Sequence, residues 1–153
     1  MSWDCFARLT LPTWALTLSD VARTVDAGDS PVERATDRSD GTTVLEGRPH
    51  GGEFLDIEAV LKVRGIAFDC FAEDPGDGSV ETCIRRVFRP NEGGPAHEAE
   101  VPVTRADVPV LPLDVWDALA GTPAGFVTWE AVQRHLGLPD GTVADWAARH
   151  PAI

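Results

Sequence analysis

Short runs of alternating apolar and polar residues recur along the first half of the chain. Such alternation is typical of strands with one buried face, and turn residues such as Pro12 and Pro75-Gly76 separate the runs. Two of the runs flank the predicted turn Glu73-Asp74-Pro75-Gly76-Asp77-Gly78, which predicts a hairpin. The predicted strands lie at about residues 3–11, 42–47, 66–72 and 79–89.

Apolar residues spaced three and four apart predict two helices among these strands. The clearer stripe consists of Phe54, Ile57, Val60 and Leu61. It predicts a helix near 53–64, and Gly65 is suited to end that helix because glycine adopts the left-handed conformation readily. Glu58 and Lys62 are spaced for an ion pair along it. A shorter stripe predicts the other helix near 19–27.

The remaining segments are richer in polar and turn residues. Residues 28–42 offer little to pack, which predicts a loop or a single helical turn. Residues 90–125 contain ten glycines and prolines and predict a broken connection. Within it, Val101-Pro102-Val103 fits an edge strand, since proline cannot donate to a central ladder. A short helix is expected at 114–120.

Two short helices joined by a glycine turn are predicted within residues 128–150, and Thr128 is suited to cap the first. Their spacing is similar to a helix-turn-helix. Gln133, however, stands where that motif usually has a small residue. The second helix is accompanied by Asp140 and Asp145, whereas a helix that contacts DNA is usually basic. The pair therefore fits packed helices or a protein contact, with DNA binding as an alternative.

These elements together predict an α+β fold. The expected architecture is a single small domain with a sheet of four or five strands, antiparallel or mixed, helices on one face, and a C-terminal helical pair. Residues 1–100 form the predicted sheet domain. Residues 101–153 form a proline-rich connection and a helical section packed on it.

The net charge of the chain limits the classes of molecule that it is expected to bind. The 153 residues carry 25 acids and 13 bases, a net charge of −12, with 43% hydrophobic residues. This apolar content excludes a disordered tail, and the charge excludes a basic nucleic-acid clamp. Free polyphosphate is also a poor partner, because phosphate binding needs clustered cations. The expected partner is another protein with a basic surface, although acidity that serves only solubility is the simplest alternative.

The sequence shows few signs of metal or covalent chemistry. Cys5, Cys70 and Cys83 are too few for a secreted disulfide scaffold, and Cys70 and Cys83 fall on opposite faces of the predicted hairpin. No pair of cysteines or histidines has metal-ligand spacing, and no phosphate-binding or nucleophile motif occurs. We therefore expect no metal and no cofactor. Without a spanning segment or a signal peptide, we expect a cytoplasmic location and no membrane partner.

Two clusters are candidate functional residues. Residues 65–84 contain five acids and no base, and the predicted partner-binding residues are Glu73, Asp74, Asp77 and Glu81. An arginine cluster is formed by Arg85, Arg86 and Arg89. The arginines are a candidate site for a small enzyme, or else the exposed face of a strand that balances nearby acids.

One stretch of about 40 residues resembles a known group of proteins. It includes Gly52-Glu53-Phe54 through Leu61, then Gly65-Ile66-Ala67-Phe68-Asp69, and finally Phe88-Arg89-Pro90. Residues 52–90 resemble small uncharacterised accessory proteins encoded on phages, plasmids and integrated elements. The resemblance involves no catalytic residue and implies only an accessory, host-directed lineage.

The expectation is thus a small, acidic, non-enzymatic protein that works by binding another protein. It would act as an inhibitor or regulator from a mobile genetic element and engage a basic, nucleic-acid-binding protein surface. One alternative is a helix-turn-helix transcriptional regulator using residues 128–150. The other is a small enzyme whose site is assembled by the fold.

Overall fold

The structure, a computed structural model, describes residues 4–73, 83–120 and 127–151. Within these ranges the chain forms an antiparallel sheet of six strands in the order β2-β3-β1-β4-β5-β6. The strands are β1 (Ala7–Pro12), β2 (Arg34–Asp37), β3 (Thr42–Gly47), β4 (Phe68–Glu73), β5 (Cys83–Arg89) and β6 (His97–Val103). The predicted α+β class is confirmed, with six strands rather than four or five.

Five α-helices and one 3₁₀ helix accompany the sheet in the described ranges. They are a 3₁₀ helix at Thr13–Thr17, α1 (Ser19–Ala27), α2 (Leu55–Arg64), α3 (Leu113–Ala120), α4 (Trp129–His135) and α5 (Val143–Arg149). Both helices predicted from apolar stripes are present. Gly65 ends α2 with a φ of 65°, and its N–H donates to the carbonyls of Leu61 and Lys62. None of the described helices has both the length and the apolar character to cross a membrane.

The two outer strands of the sheet, β2 and β6, differ in how well the sequence predicts them. The prediction that residues 28–42 form a loop or a helical turn was wrong, because β2 pairs with β3 there. All four β2 residues are exposed, so no apolar alternation marks the strand. The predicted edge strand around Pro102 is confirmed as β6. Since β6 extends to Val103, the sheet continues past residue 100 into the predicted C-terminal section.

The first face of the sheet holds the main core beneath α1 and α2. Every second residue of the central strands is buried there, which is the period of an extended strand. The sheet contributes Ala7, Leu9, Leu11, Leu45, Phe68, Cys70, Ala72 and Phe88. The helices contribute Val21, Ile57 and Leu61. Trp146 of α5 joins this core and stacks on Trp14 with ring centroids 6.1 Å apart.

The second face holds a smaller core. It contains Cys83, Val101, Val103 and Val132, with Trp129 and Phe71 packed against them. Helix α4 of the C-terminal section therefore covers the second face of the sheet, which is the face that α2 does not cover. Helix α5 lies against β1 and β3.

The register of the hairpin separates its two cysteines. Cys70 lies opposite Arg86, and Cys83 lies opposite Glu73. Their side chains point to opposite faces, as the alternation predicted, and both thiols are free. Burial, reinforced by the charge of Glu58, raises the pKa of Cys70 to about 12, so this thiol stays protonated and unreactive.

Asp56, in the first turn of α2, holds the segment that leads to β2. Its Oδ1 accepts hydrogen bonds from the Ser30 hydroxyl and the Ile57 N–H. Its Oδ2 accepts from the Asp29 N–H at 2.8 Å and the Ser30 N–H at 3.4 Å. Burial alone would raise the pKa of Asp56, but these hydrogen bonds outweigh it and hold the pKa below its usual range.

Replacing Asp56 with alanine is expected to lower the free energy of unfolding by roughly 2 kcal/mol at neutral pH, because four donors lose a charged acceptor. The pKa of Asp56 is lower in the folded state than in the unfolded state, where it is about 3.9. The ionised carboxylate therefore stabilises the folded state above that pH, and this stabilisation is lost as the pH falls through the pKa of the folded state. The difference between wild type and Asp56→Ala should therefore shrink towards about pH 3. Urea unfolding at neutral pH and at about pH 3 measures this difference in the free energy of unfolding. Glu33→Ala, at an exposed site, should show neither effect, and a pH-independent difference for Asp56→Ala would contradict the assignment.

Candidate functional site

The structure places only part of the predicted acidic cluster. Glu73 is the last residue of β4, lies opposite Cys83 and is half-buried on the second face. Asp74, Asp77 and Glu81 lie outside the described residues. Their role in partner binding stays a prediction.

The three arginines of the candidate patch do not lie together. Arg85 and Arg89 lie on the second face, whereas Arg86 lies on the first. They are not the exposed face of a strand either, because their side chains are only 18%, 16% and 3% exposed, respectively. Each contacts a carboxylate, so the expected patch is replaced by ion pairs on opposite sides of β5.

On the first face, Arg86 connects α2 to the sheet. Its guanidinium donates to both carboxylate oxygens of Glu58, at 3.0 and 3.2 Å, and to the Gly52 carbonyl at 3.2 Å. The expected Glu58–Lys62 pair within the helix was wrong. Lys62 instead contacts Glu98 of β6 at 2.6 Å. Both pairs cross between helix and sheet, which spacing along one helix does not reveal.

A groove of about 650 Å³ lies beside these pairs, between α2 and β6. We call it the acidic groove. Phe68 and Phe88 form part of its lining and stack with centroids 5.3 Å apart. Leu55, also in the lining, is 65% exposed. Its acidic members are Glu53, Glu58, Glu98 and Glu100, and its basic members are Lys62 and Arg86.

The acidic groove retains an excess of negative charge after internal pairing. Glu98 neutralises Lys62, and Glu58 neutralises Arg86. Among the described residues, neither Glu53 nor Glu100 has an ion-pair partner. The exposed Leu55 side chain and two carboxylates without an ion-pair partner among the described residues suit a basic segment with some apolar character.

The outer edge of β6 borders the groove. At its C-terminal end, the Val110 N–H donates to the Pro102 carbonyl, and Val103 bridges to Pro109. Along residues 97–101, no other strand of the described chain pairs with this edge. An open edge offers backbone N–H and carbonyl groups to an added strand.

A second cleft, of about 470 Å³, lies on the opposite face. Here Arg85 lies 4.1 Å over the ring of Trp129 and contacts Asp69 at 2.8 Å and Asp107 at 3.1 Å. Asp69 also contacts Arg89 at 2.8 Å. We call this the arginine cleft, because Arg8, Arg38, Arg85 and Arg105 line it.

The predicted C-terminal helix pair is present as α4 and α5. Thr128 caps α4, as predicted, by accepting a hydrogen bond from the Ala131 N–H. Gln133 is buried, and its side-chain amide donates to the carbonyls of Pro139 and Gly141, so it fixes the turn between the helices. The exposed residues of α5 are Asp145, Ala148 and Arg149. They provide a single cation, which gives no support to the DNA-binding alternative.

Comparison with protein-family models, with curated proteins and with solved structures finds no match for this chain. The described residues also contain no group of three or more histidine, cysteine, aspartate or glutamate side chains placed to hold a metal ion.

Proposed function

We propose that the protein acts by binding another protein that presents a basic segment, and that the acidic groove receives this segment. The observation that carries the proposal is that Glu53 and Glu100, which have no ion-pair partner among the described residues, lie beside the exposed side chain of Leu55. Complementary charge would speed the encounter, and burial of apolar surface would hold the complex.

The open edge of β6 supports an extended conformation for the bound segment. Main-chain hydrogen bonds along residues 97–101 would align it, while Glu100 and Glu53 would contact its basic side chains. This arrangement explains how a small protein with a net charge of −12 can be selective rather than merely soluble.

The predicted acids at Glu73, Asp74, Asp77 and Glu81 extend the same proposal. The acidic groove begins at Glu53, next to Gly52, where a Cβ would lie 2.8 Å from that of Ala72. The groove therefore adjoins the end of the sheet where β4 ends at Glu73. A basic partner long enough to pass around this end would reach Glu73.

The resemblance of residues 52–90 to accessory proteins of mobile elements implies an accessory, host-directed lineage, and a regulatory purpose would be compatible with it. We propose that the partner's basic segment belongs to a nucleic-acid-binding surface and that this protein competes for it as an inhibitor or regulator. Such competition requires only charge mimicry and a shaped groove.

The test compares wild type with Glu53→Gln/Glu100→Gln and with a control of the same charge change, Asp114→Asn/Glu130→Gln, at exposed sites on α3 and α4. Each is immobilised, and proteins retained from a lysate of the source organism are quantified. A basic protein should be retained by wild type and by the control. Affinity for the purified partner should fall roughly tenfold in the groove variant and weaken with salt.

Two results would overturn the proposal. One is equal retention of the same proteins by all three forms. The other is a partner whose affinity does not change with ionic strength. A parallel variant that neutralises Asp74, Asp77 and Glu81 tests whether these predicted acids take part.

A further inference from the structure

The arginine cleft reverses the charge balance of the chain. Acids outnumber bases 25 to 13 over the whole sequence. The lining of the cleft instead contains four arginines and three aspartates. The acidic residues are Asp40, Asp69 and Asp107. A local excess of cations in an otherwise acidic protein indicates a specific purpose rather than solubility.

The three aspartates are already engaged by the protein. Asp69 is shared between Arg85 and Arg89. Asp40 accepts hydrogen bonds from the N–H and the hydroxyl of Thr42. One oxygen of Asp107 contacts Arg85. Asp69 and Asp107 therefore make their ion pairs with Arg85 and Arg89, and within the described residues none of the three carboxylates forms an ion pair with Arg8 or Arg38.

Besides Arg85, three arginines line the cleft; Arg105 is engaged in another interaction, which leaves Arg8 and Arg38. Arg8 lies 4.4 Å over the ring of Phe71 and makes no hydrogen bond or ion pair to the described residues. Arg38 is exposed and likewise has no ion pair among them. A guanidinium carries five N–H donors in a planar fork that fits carboxylate and phosphate oxygens. Both side chains line the same cleft, so their donors can serve one ligand.

Asp107 supplies a different kind of group. Its Oδ1 is buried and has no hydrogen-bond partner among the described residues. The backbone of Asp107 has a φ of 62°, which residues other than glycine rarely adopt. A buried acceptor without a partner costs free energy unless a donor is supplied. A ligand with a hydroxyl or amine would supply that donor.

We propose that the arginine cleft binds a small oxyanion, a molecule that carries a phosphate or carboxylate group and a neighbouring hydrogen-bond donor. Arg8 and Arg38 hold the anionic group, and the free oxygen of Asp107 accepts from the donor. The volume of about 470 Å³ lies in the range of small-molecule sites. The mean field of the protein opposes anions, and the clustered arginines overcome it locally.

This site is independent of the acidic groove. The two lie on opposite faces of the sheet and share no lining residue. Loss of partner binding would therefore leave the oxyanion proposal intact, and the converse also holds.

Isothermal titration calorimetry of the full chain with glycerol 3-phosphate and with citrate, which each carry a hydroxyl beside the anionic group, tests the proposal at constant ionic strength. We expect saturable one-to-one binding of at least one probe. Arg38→Gln and Arg8→Gln should each weaken it by about tenfold, since each removes a charged hydrogen-bond donor. Arg23→Gln, at an exposed site on α1, should change it less than twofold, within the usual effect of a distant charge.

The outcomes are distinct. Tighter binding of glycerol 3-phosphate assigns the site to phosphorylated ligands, and tighter binding of citrate assigns it to carboxylates. No saturable binding of either probe overturns the proposal, as does binding that Arg38→Gln leaves unchanged. Arg38 is exposed, so its variant should fold and decide the question even if Arg8→Gln does not fold.

Discussion

Replacing Arg86 with methionine is expected to lower the free energy of unfolding by about 3–5 kcal/mol, because Glu58 would remain buried without a positive partner. The loss should appear in urea unfolding at neutral pH. Glu58→Leu should be similarly costly, since it leaves the Arg86 guanidinium without its carboxylate. Each single variant thus exposes the desolvation cost that the pair otherwise offsets.

The double variant Glu58→Leu/Arg86→Met distinguishes this explanation from a simple loss of packing. It removes both charges and fills the site with apolar atoms, so the large penalty disappears. A loss of about 1 kcal/mol should remain, because the Gly52 carbonyl loses its donor. Lys62→Met is the matched control on the same helix. It breaks a pair whose side chains are about half exposed, so it should cost less than about 1 kcal/mol.

Additive losses in the double variant would contradict the coupling of Glu58 and Arg86. Equal losses for Arg86→Met and Lys62→Met would contradict the importance of burial. Either result would mean that α2 is held to the sheet mainly by the apolar contacts of Ile57 and Leu61.

The central strands and the two helices of the first face could be predicted because burial imposes a period on the sequence. Leu9 and Leu11 alternate with polar residues, and Ile57 and Leu61 recur at helical spacing. β2 could not be predicted in this way. Its residues are exposed, and only backbone pairing with β3 makes them a strand.

The candidate sites depend on contacts between elements, which the sequence does not specify. Nothing in local spacing pairs Glu58 with Arg86 or Lys62 with Glu98, because each pair joins a helix to a strand. One feature of the sequence did indicate how the arginines of β5 are arranged. The alternation that separates Cys70 from Cys83 also places Arg86 on the face opposite Arg85, so one patch was never compatible with a regular strand.

Asp107 and Gln133 are examples of polar residues whose structural role the sequence does not predict. Each is a polar residue in or near a turn, and its role depends on the backbone around it. Asp107 has a φ of 62°, and Gln133 donates to two carbonyls of the turn after α4. A single sequence does not distinguish such residues from solvated ones, because their partners are set by the final packing.

Replacing Asp69 with asparagine is the second change with a large expected effect. The variant keeps the shape of the side chain but removes the charge shared by Arg85 and Arg89. Arg89 is only 3% exposed, and its Nη2 has no hydrogen-bond partner among the described residues. In the variant Arg89 would have only neutral acceptors, which are the asparagine oxygen and the carbonyls of Phe68 and Phe88. We expect a loss of about 3–5 kcal/mol in urea unfolding, as for other buried charges that lose their partner.

The comparison with Asp107→Asn identifies which arginine is responsible. Arg85 contacts Asp69, Asp107 and Trp129, so it keeps two partners in either variant. Asp107→Asn should therefore cost less, about 1–2 kcal/mol. Glu46→Gln, which breaks a 4.0 Å pair between the half-buried Glu46 and the exposed Arg34, should cost under about 1 kcal/mol. If Asp107→Asn proves as costly as Asp69→Asn, then Arg85 rather than the buried Arg89 depends on the shared carboxylate. In that case the charge balance of the arginine cleft, and not the burial of Arg89, fixes β4 to β5.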